Sequence, residues 1–392
     1  MSNPTILEAL QWHTTAIGTS SLPKGHNTRV KTHIRISTWT EWSDFTYENV
    51  MAMYADQLER PYHGQKERIA LAKDLWVYNE ASVDDLQRKF PFTIINSALD
   101  SIMTEETRPH APYYGRGAMS RGSGYVPDWA CVSDREYHNN NYKSIVTGDT
   151  KTSAKWQPEM YNSAHTHTFL EWQKVVTQVA AYANRFRTRY GFIVTDKEVV
   201  ILRFKRERIA PGIAASRPRR RPNTRVNFSQ TSSPHSSSSD PSLPSSESYD
   251  DDEDQGVDDN IEYKTIPWGV NGPGKLTAKL ALAVLPLMAL HGERHLARSY
   301  PGLNTWRTDG TGVRHNTTGE FRKRAPPGAI MEEDEGDEDD EDDEDDEEDE
   351  DDEEDEEDEE DEDDGDSRPG SIYGDIELPK PKHVTKNKFS KK

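Results

Sequence analysis

Apolar residues recur at helical spacing in five stretches of the chain. Val50, Met53 and Leu58 predict a helix over 46–58, and Ile69, Leu71 and Leu75 predict one over 65–76. Between Asn79 and Met103 the positions Val83, Leu86, Phe90, Ile94, Ile95, Leu99 and Ile102 keep the same period, with Pro91 expected to break or kink the helix. The run FLEWQKVVTQVAAYANRFRTRY is again helical, and LTAKLALAVLPLMALHG reads as a helix apolar on every side, hence buried. The period shortens from Tyr125. YVPDWACV and YKSIVTGDTK are short β-rich runs separated by SDREYHNNN, whose Asn and Asp residues suit a turn. GFIVTDKEVVILRF predicts two strands around Thr195-Asp196-Lys197, and IEYKTIPW a further strand. No internal repeat is visible.

These elements imply an α/β domain interrupted by polar segments. Residues 1–45 read as a loosely ordered arm with one strand near Val30–Ser37. Residues 46–205 form the first part of the domain. Residues 206–260, rich in Arg, Ser, Pro and Asp, bury too little apolar surface to offset the entropy of ordering and read as a disordered insertion. The strand and helix of 261–297 complete the domain, and 298–331 read as an irregular linker. An acidic run over 332–366 and a basic tail over 367–392 follow.

Charge sharpens this division. The formal net charge is −23 over 392 residues, but 33 of the 35 residues from 332 to 366 are acidic. Without them 38 acidic residues face 48 Lys and Arg, a net of +10. A basic body with an acidic tail points to a polyanionic partner and a tail that competes for the same surface. The acidic run also suits contact with histones or other basic proteins, or solvation alone. Arg217, Arg219, Arg220, Arg221 and the terminal lysines can neutralise phosphates without sequence choice, or serve as nuclear import signals. The single cysteine, Cys131, excludes an intramolecular disulfide and sits in an apolar run as a buried strand residue. MSNPTILEALQW lacks the basic and apolar regions of a secretory signal, and the most apolar run, Leu276 to Leu290, is too short and too interrupted for a bilayer span. The expectation is an intracellular, nuclear protein without membrane contact.

Candidate chemistry lies at the two central β-runs. Side chains alternate along a strand, so Asp149 and Lys151 share one face. Antiparallel pairing through the Asn-rich turn would bring Asp128 beside them. Two carboxylates there can hold Mg²⁺ or Mn²⁺, and an ammonium can orient an attacking water and stabilise phosphate charge, as in-line phosphodiester hydrolysis requires. The plainer alternative is that Asp149 and Lys151 form a solvated hairpin end and Asp128 a turn after Pro127.

These residues resemble the PD-(D/E)XK nuclease superfamily, whose pattern is Pro-Asp on one strand and Asp/Glu-x-Lys on the next. Here the pattern is VPDW at 126–129 and GDTK at 148–151, with 20 residues between the aspartates. The resemblance implies a restriction-endonuclease-like core, a mixed central sheet flanked by helices, in the order helix, three strands, helix, strand. The predicted elements run in that order from Glu80 to Phe204. QVAAY, with Gln178 and Tyr182 one helical turn apart, is similar to the Gln-x-x-x-Tyr element of exonuclease-like branches, where it supports the site or contacts nucleic acid. Gln178 is equally at home as a polar position on an amphipathic helix. The helix before the strands often supplies an acidic ligand, here Glu80, with Glu105 and Glu106 as competing positions. Glu80 also suits the N-terminus of a helix for its charge alone. The layout resembles nuclease-like domains of fungal proteins, and the resemblance spans about 79–204 plus 261–291. It implies a Mg²⁺- or Mn²⁺-dependent nuclease acting on DNA or RNA. A catalytically silent nucleic-acid or chromatin-binding protein is the alternative.

Two other motifs carry less. GVNGPGKL, Gly269 to Leu276, approaches a phosphate-binding loop, but Leu276 replaces the required hydroxyl and Pro273 removes a backbone donor, so a Gly-rich connector is expected. His165 and His167 lie in the polar loop YNSAHTHT with no cysteine nearby, which argues against zinc, although the loop can flank the active site.

Overall fold

In the computed structural model the described residues are 3–14, 22, 24–29, 34–104, 106–120, 126–138, 141–208 and 257–332. Arg217, Arg219, Arg220, Arg221, Glu105, the acidic run beyond Glu332 and the basic tail lie outside them.

The first element, α1 (Ile6–Leu10), is set by a reciprocal cap in which the Thr5 hydroxyl accepts from Glu8 N and the Glu8 carboxylate accepts from Thr5 N. Its Ile6, Ala9 and Leu10 are buried. β1 (Arg35–Glu41) follows, a few residues later than expected. The loosely ordered arm is thereby corrected: the described parts of 1–45 pack into the domain because α1 buries three apolar side chains and β1 finds a partner strand. α2 (Tyr47–Leu58) matches expectation. The helix expected over 65–76 is absent, and only a single turn at Ala72–Asp74 forms there. Ile69 is 85% exposed and Leu71 half-exposed. Without an apolar face to bury, so short a helix has nothing to offset its nucleation cost.

The Asn79–Met103 run becomes two helices, α3 (Glu80–Lys89) and α4 (Pro91–Ile102). Pro91 opens the second, where its missing N–H is tolerated. β2 (Tyr113–Arg116), β3 (Trp129–Val132), the short hairpin β4 (Tyr137–His138) and β5 (Asn141–Tyr142), and β6 (Val146–Thr150) come next. Then α5 (Thr166–Phe186) crosses to β7 (Tyr190–Val194), which turns back into β8 (Glu198–Arg208). β9 (Val257–Pro267) leads into α6 (Ala278–His291), which is buried almost throughout and accommodates Pro286. The boundaries of the insertion are therefore corrected. β8 and β9 pair antiparallel in unbroken register from Glu198↔Pro267 to Arg208↔Val257, so both ends of 206–260 are strand, carried past the apolar core by the ladder itself.

The irregular linker over 298–331 is also corrected. It contains β10 (Thr305–Asp309), β11 (Gly312–His315), β12 (Phe321–Arg322) and β13 (Ile330–Met331), a four-stranded sheet in the order β12-β11-β10-β13. Its hairpin turns through Gly310-Thr311, with Gly310 at φ 55°, a turn signal that the short polar strands around it obscured.

The main sheet has seven strands in the order β1-β9-β8-β7-β6-β3-β2. It is mixed: β2/β3, β3/β6, β7/β8 and β8/β9 are antiparallel, and β6/β7 and β1/β9 are parallel. Helices cover both faces. Phe192, Val194, Val199 and Ile201 point into a core shared with α1, α2, α4 and α6. Their neighbours Ile193, Val200, Leu202 and Phe204 point into a second core under α5, with Trp156 and Trp172. That two-sided burial is why β7 and β8 read as continuous apolar runs. No described helix is long and apolar enough to cross a membrane.

Candidate active site

The antiparallel pairing of β3 with β6 sets Trp129 opposite Gly148. Asp128 therefore stands at the start of one strand and Thr150 at the end of its neighbour, at one corner of the sheet. The Asp128 carboxylate (Oδ2) accepts a hydrogen bond from Thr150 N at 2.9 Å. Alternation along β6 then divides its residues. Gly148 faces Phe192, whose ring lies about where a Cβ would go, at 2.3 Å. Thr150, on that same face, accepts from Trp129 Nε1 at 2.7 Å. Asp149 points the other way, under α5, where Gln178 Nε2 lies 3.5 Å from its Oδ1.

Lys151 follows Asp149 on the α5 side, and its ammonium forms an ion pair with the Asp149 carboxylate. It also donates to Thr150 O at 3.1 Å. Asp149 is 1% exposed and Lys151 6%. Burial raises the Asp149 pKa; Lys151 opposes that effect, Asp128 adds to it, and the outcome is about 7. For Lys151, burial works against the charge, but Asp149, then Glu80 and Asp128, outweigh it and raise the pKa. Gln178 is itself held by donating to Tyr182 Oη at 2.7 Å along α5. The expected residues Asp128, Asp149, Lys151, Gln178 and Tyr182 thus form one connected group.

Glu80 sits at the first turn of α3, where it accepts from Lys155 Nζ at 3.1 Å while its charge acts on Lys151. One turn further, Asp84 joins the site directly, a residue that sequence reasoning missed. Its Oδ1 accepts from Thr150 Oγ1 at 3.2 Å, and it pairs with Arg88, whose guanidinium stacks over Trp129 at 4.7 Å. Burial raises the Asp84 pKa; Arg88 pulls it down, Asp128 pushes it up, and it settles at about 6. The signal available was the i, i+4 spacing of Glu80 and Asp84, which puts both on one face of a helix. Glu106 is exposed.

The loop after Lys151 is fixed by Asp196, in the β7–β8 turn. Its carboxylate accepts from Ser153 N at 2.6 Å and Ser153 Oγ at 2.7 Å. Beside the corner, a cavity of about 570 Å³ is lined by Arg88, Phe92, Asn96, Tyr113, Arg116 and Trp129, among others. Arg116 is close enough for its charge to act on Asp84.

The other sequence motifs fall elsewhere. In the Gly-rich connector, Gly272 N donates to Gln11 O, and the Thr277 hydroxyl donates to Leu10 O while capping α6, so these groups serve the packing of α1. Cys131 is buried in β3, and burial pushes its thiol pKa up. YNSAHTHT is part loop and part helix: His165 is the N-cap residue of α5, and His167 lies in the first turn, near His26 and Glu171.

Comparisons of the chain with protein-family models, with curated proteins and with solved structures return no match. The functional reading rests on the residues themselves.

Proposed function

We propose that this protein is a metal-dependent phosphodiesterase of nucleic acid, with a core of the PD-(D/E)XK nuclease kind. The observation that carries the reading is the convergence of Asp128, Asp149 and Lys151 at one corner of the sheet. Two further observations support it. With the separate β4–β5 hairpin set aside, α4, β2, β3, β6, α5 and β7 follow the order helix, three strands, helix, strand, and the last strand is parallel to β6. The Gln178–Tyr182 pair stands behind Asp149.

The donor set fits a hard divalent cation. Asp128 and Asp149 offer carboxylate oxygens side by side, and burial with the Asp128 charge raises the Asp149 pKa to about 7 against the pull of Lys151, an excess of negative charge that a cation would relieve. Mg²⁺ or Mn²⁺ held by these two carboxylates would supply charge to the phosphoryl oxygens and acidify an attacking water. Gln178 orients Asp149. Lys151 offers N–H donors to the nucleophile and positive charge to the phosphate as negative charge builds there. Asp84 and Glu80 add negative potential on the α3 side. The basic body, with Arg219, Arg220 and Arg221 and the terminal lysines, holds the polyanion without sequence choice, and the same segments suit nuclear import.

One feature favours a second reading, nucleic-acid binding without catalysis. The Asp149–Lys151 pair is closed on itself and nearly solvent-free. The deciding experiment is cleavage of single- and double-stranded DNA and RNA with Mg²⁺ or Mn²⁺, by the full chain and its Asp149→Ala and Lys151→Ala variants. The expected outcome is metal-dependent cleavage that falls about a thousandfold in each variant. Binding without cleavage by the intact chain selects the second reading.

A further inference from the structure

At the N-terminal end of α5, the helix meets the segment 24–29. His167 and Glu171 are one turn apart on α5, and His26 comes from the segment. His26 Nδ1 lies 3.1 Å and His167 Nε2 4.0 Å from Glu171 Oε1, and the three ligand atoms all lie within 4.8 Å of one another. The two rings meet edge to face at 5.4 Å. Zn²⁺ bonds to nitrogen and oxygen are about 2.0–2.1 Å long, so tetrahedral ligands stand roughly 3.4 Å apart. The observed separations bracket that value.

We propose that His26, His167 and Glu171 form a binding site for a borderline-soft divalent cation of the Zn²⁺ class, which staples the segment 24–29 to α5. The donor chemistry selects the cation: two imidazoles and one carboxylate favour Zn²⁺ over Mg²⁺, which prefers oxygen alone. Geometry prepares each ligand. Glu171 has a side chain only 7% exposed, and its second oxygen is fixed by Asn27 N at 2.7 Å. Asn27 Nδ2 donates to the Glu171 and Lys155 carbonyls, both at 3.2 Å, which holds His26 at the helix. The imidazoles are 75% and 70% exposed, which leaves an entry path and room for water in the fourth position.

Lys174 is the competitor. Its ammonium lies 2.6 Å from Glu171 Oε1, the oxygen that would ligate. The cation must displace it, and the half-buried lysine stem can swing away. The site is independent of the Asp128–Asp149 corner and stands whether or not that corner cleaves nucleic acid.

The test is titration of the full chain with Co²⁺, read by visible absorption, followed by displacement with Zn²⁺. Tetrahedral Co²⁺ with nitrogen ligands absorbs strongly, whereas octahedral all-oxygen Co²⁺, the form expected on an acidic tail, absorbs weakly, so the two are separable by spectrum. One equivalent of strong bands, lost on adding Zn²⁺, is the expected result. His26→Ala and His167→Ala should each weaken binding by at least about tenfold, and both side chains are exposed enough for the variants to fold. Lys174→Met should tighten it. Strong bands that persist undiminished in both histidine variants, or a weak octahedral spectrum alone, without tetrahedral bands, in the intact chain, would overturn the proposal.

Discussion

At the scale of single residues, the protonation of Asp149 governs what the corner can do. With its pKa near 7, the carboxyl is largely protonated at pH 6 and ionised at pH 8. A metal needs the ionised form, so metal-dependent cleavage should fall about tenfold per pH unit below 7 and level off above it. Initial rates at fixed Mg²⁺ between pH 5.5 and 8.5 would check this, and a flat profile would sink it. The metal-free fold should show the opposite trend. The folded pKa lies above the unfolded value of 3.8, so the native state binds more protons between about pH 4 and 7, and this group's contribution declines as pH rises through that window. Added Mg²⁺ should therefore raise Tm more at pH 8 than at pH 6. Much of this site was legible: two residues apart on a strand fixes Asp149 and Lys151 on one face, and a turn between two strands brings in Asp128. Asp84 was legible only as a carboxylate on the Glu80 face of a helix, because the packing of α3 against the end of β6 decides which of the two reaches Thr150. His26 was hidden for the same reason, being 145 residues from Glu171 in sequence.

Among the elements, those with long periodic apolar faces were readable, and those held by few contacts were not. α2, α4, α5 and α6 each bury a broad face and appear where the spacing put them. The stretch 65–76 has the spacing of a helix but no surface to cover. The small sheet of β10–β13 has strands of five residues or fewer, in which alternation carries little signal. One connection matters directly for the site. Gly117 N donates to Asp128 O at 3.1 Å, and a Cβ on Gly117 would stand 1.6 Å from Pro127 O. Backbone cannot yield as a flexible side chain does. Gly117→Ala should push the Pro127–Asp128 segment away, costing about 1–3 kcal/mol of stability and weakening metal binding together. Urea melts with and without Mg²⁺ would measure both, and an unchanged metal-induced shift would show that Asp128 has not moved.

For the whole molecule, opposite charge within one chain is the governing feature. The acidic run and the basic body should compete with nucleic acid for each other. Deleting 337–366 while keeping the terminal lysines should tighten nucleic-acid binding about tenfold at low salt, with the gain shrinking as salt rises. Anisotropy titrations at several salt concentrations would test this, and equal affinities would show that the run does not screen the body. The β8–β9 hairpin has a different consequence. Its ladder closes at Arg208↔Val257, so the chain leaves the sheet and re-enters it at neighbouring points. Closing a flexible loop costs only about 0.6 kcal/mol more for each doubling of its length. The open end of the hairpin is therefore a docking port for sequence: cargo of almost any length could be exchanged there while the Asp128–Asp149 corner, two strands over from β8 and near the opposite, Glu198 end of that strand, keeps its register.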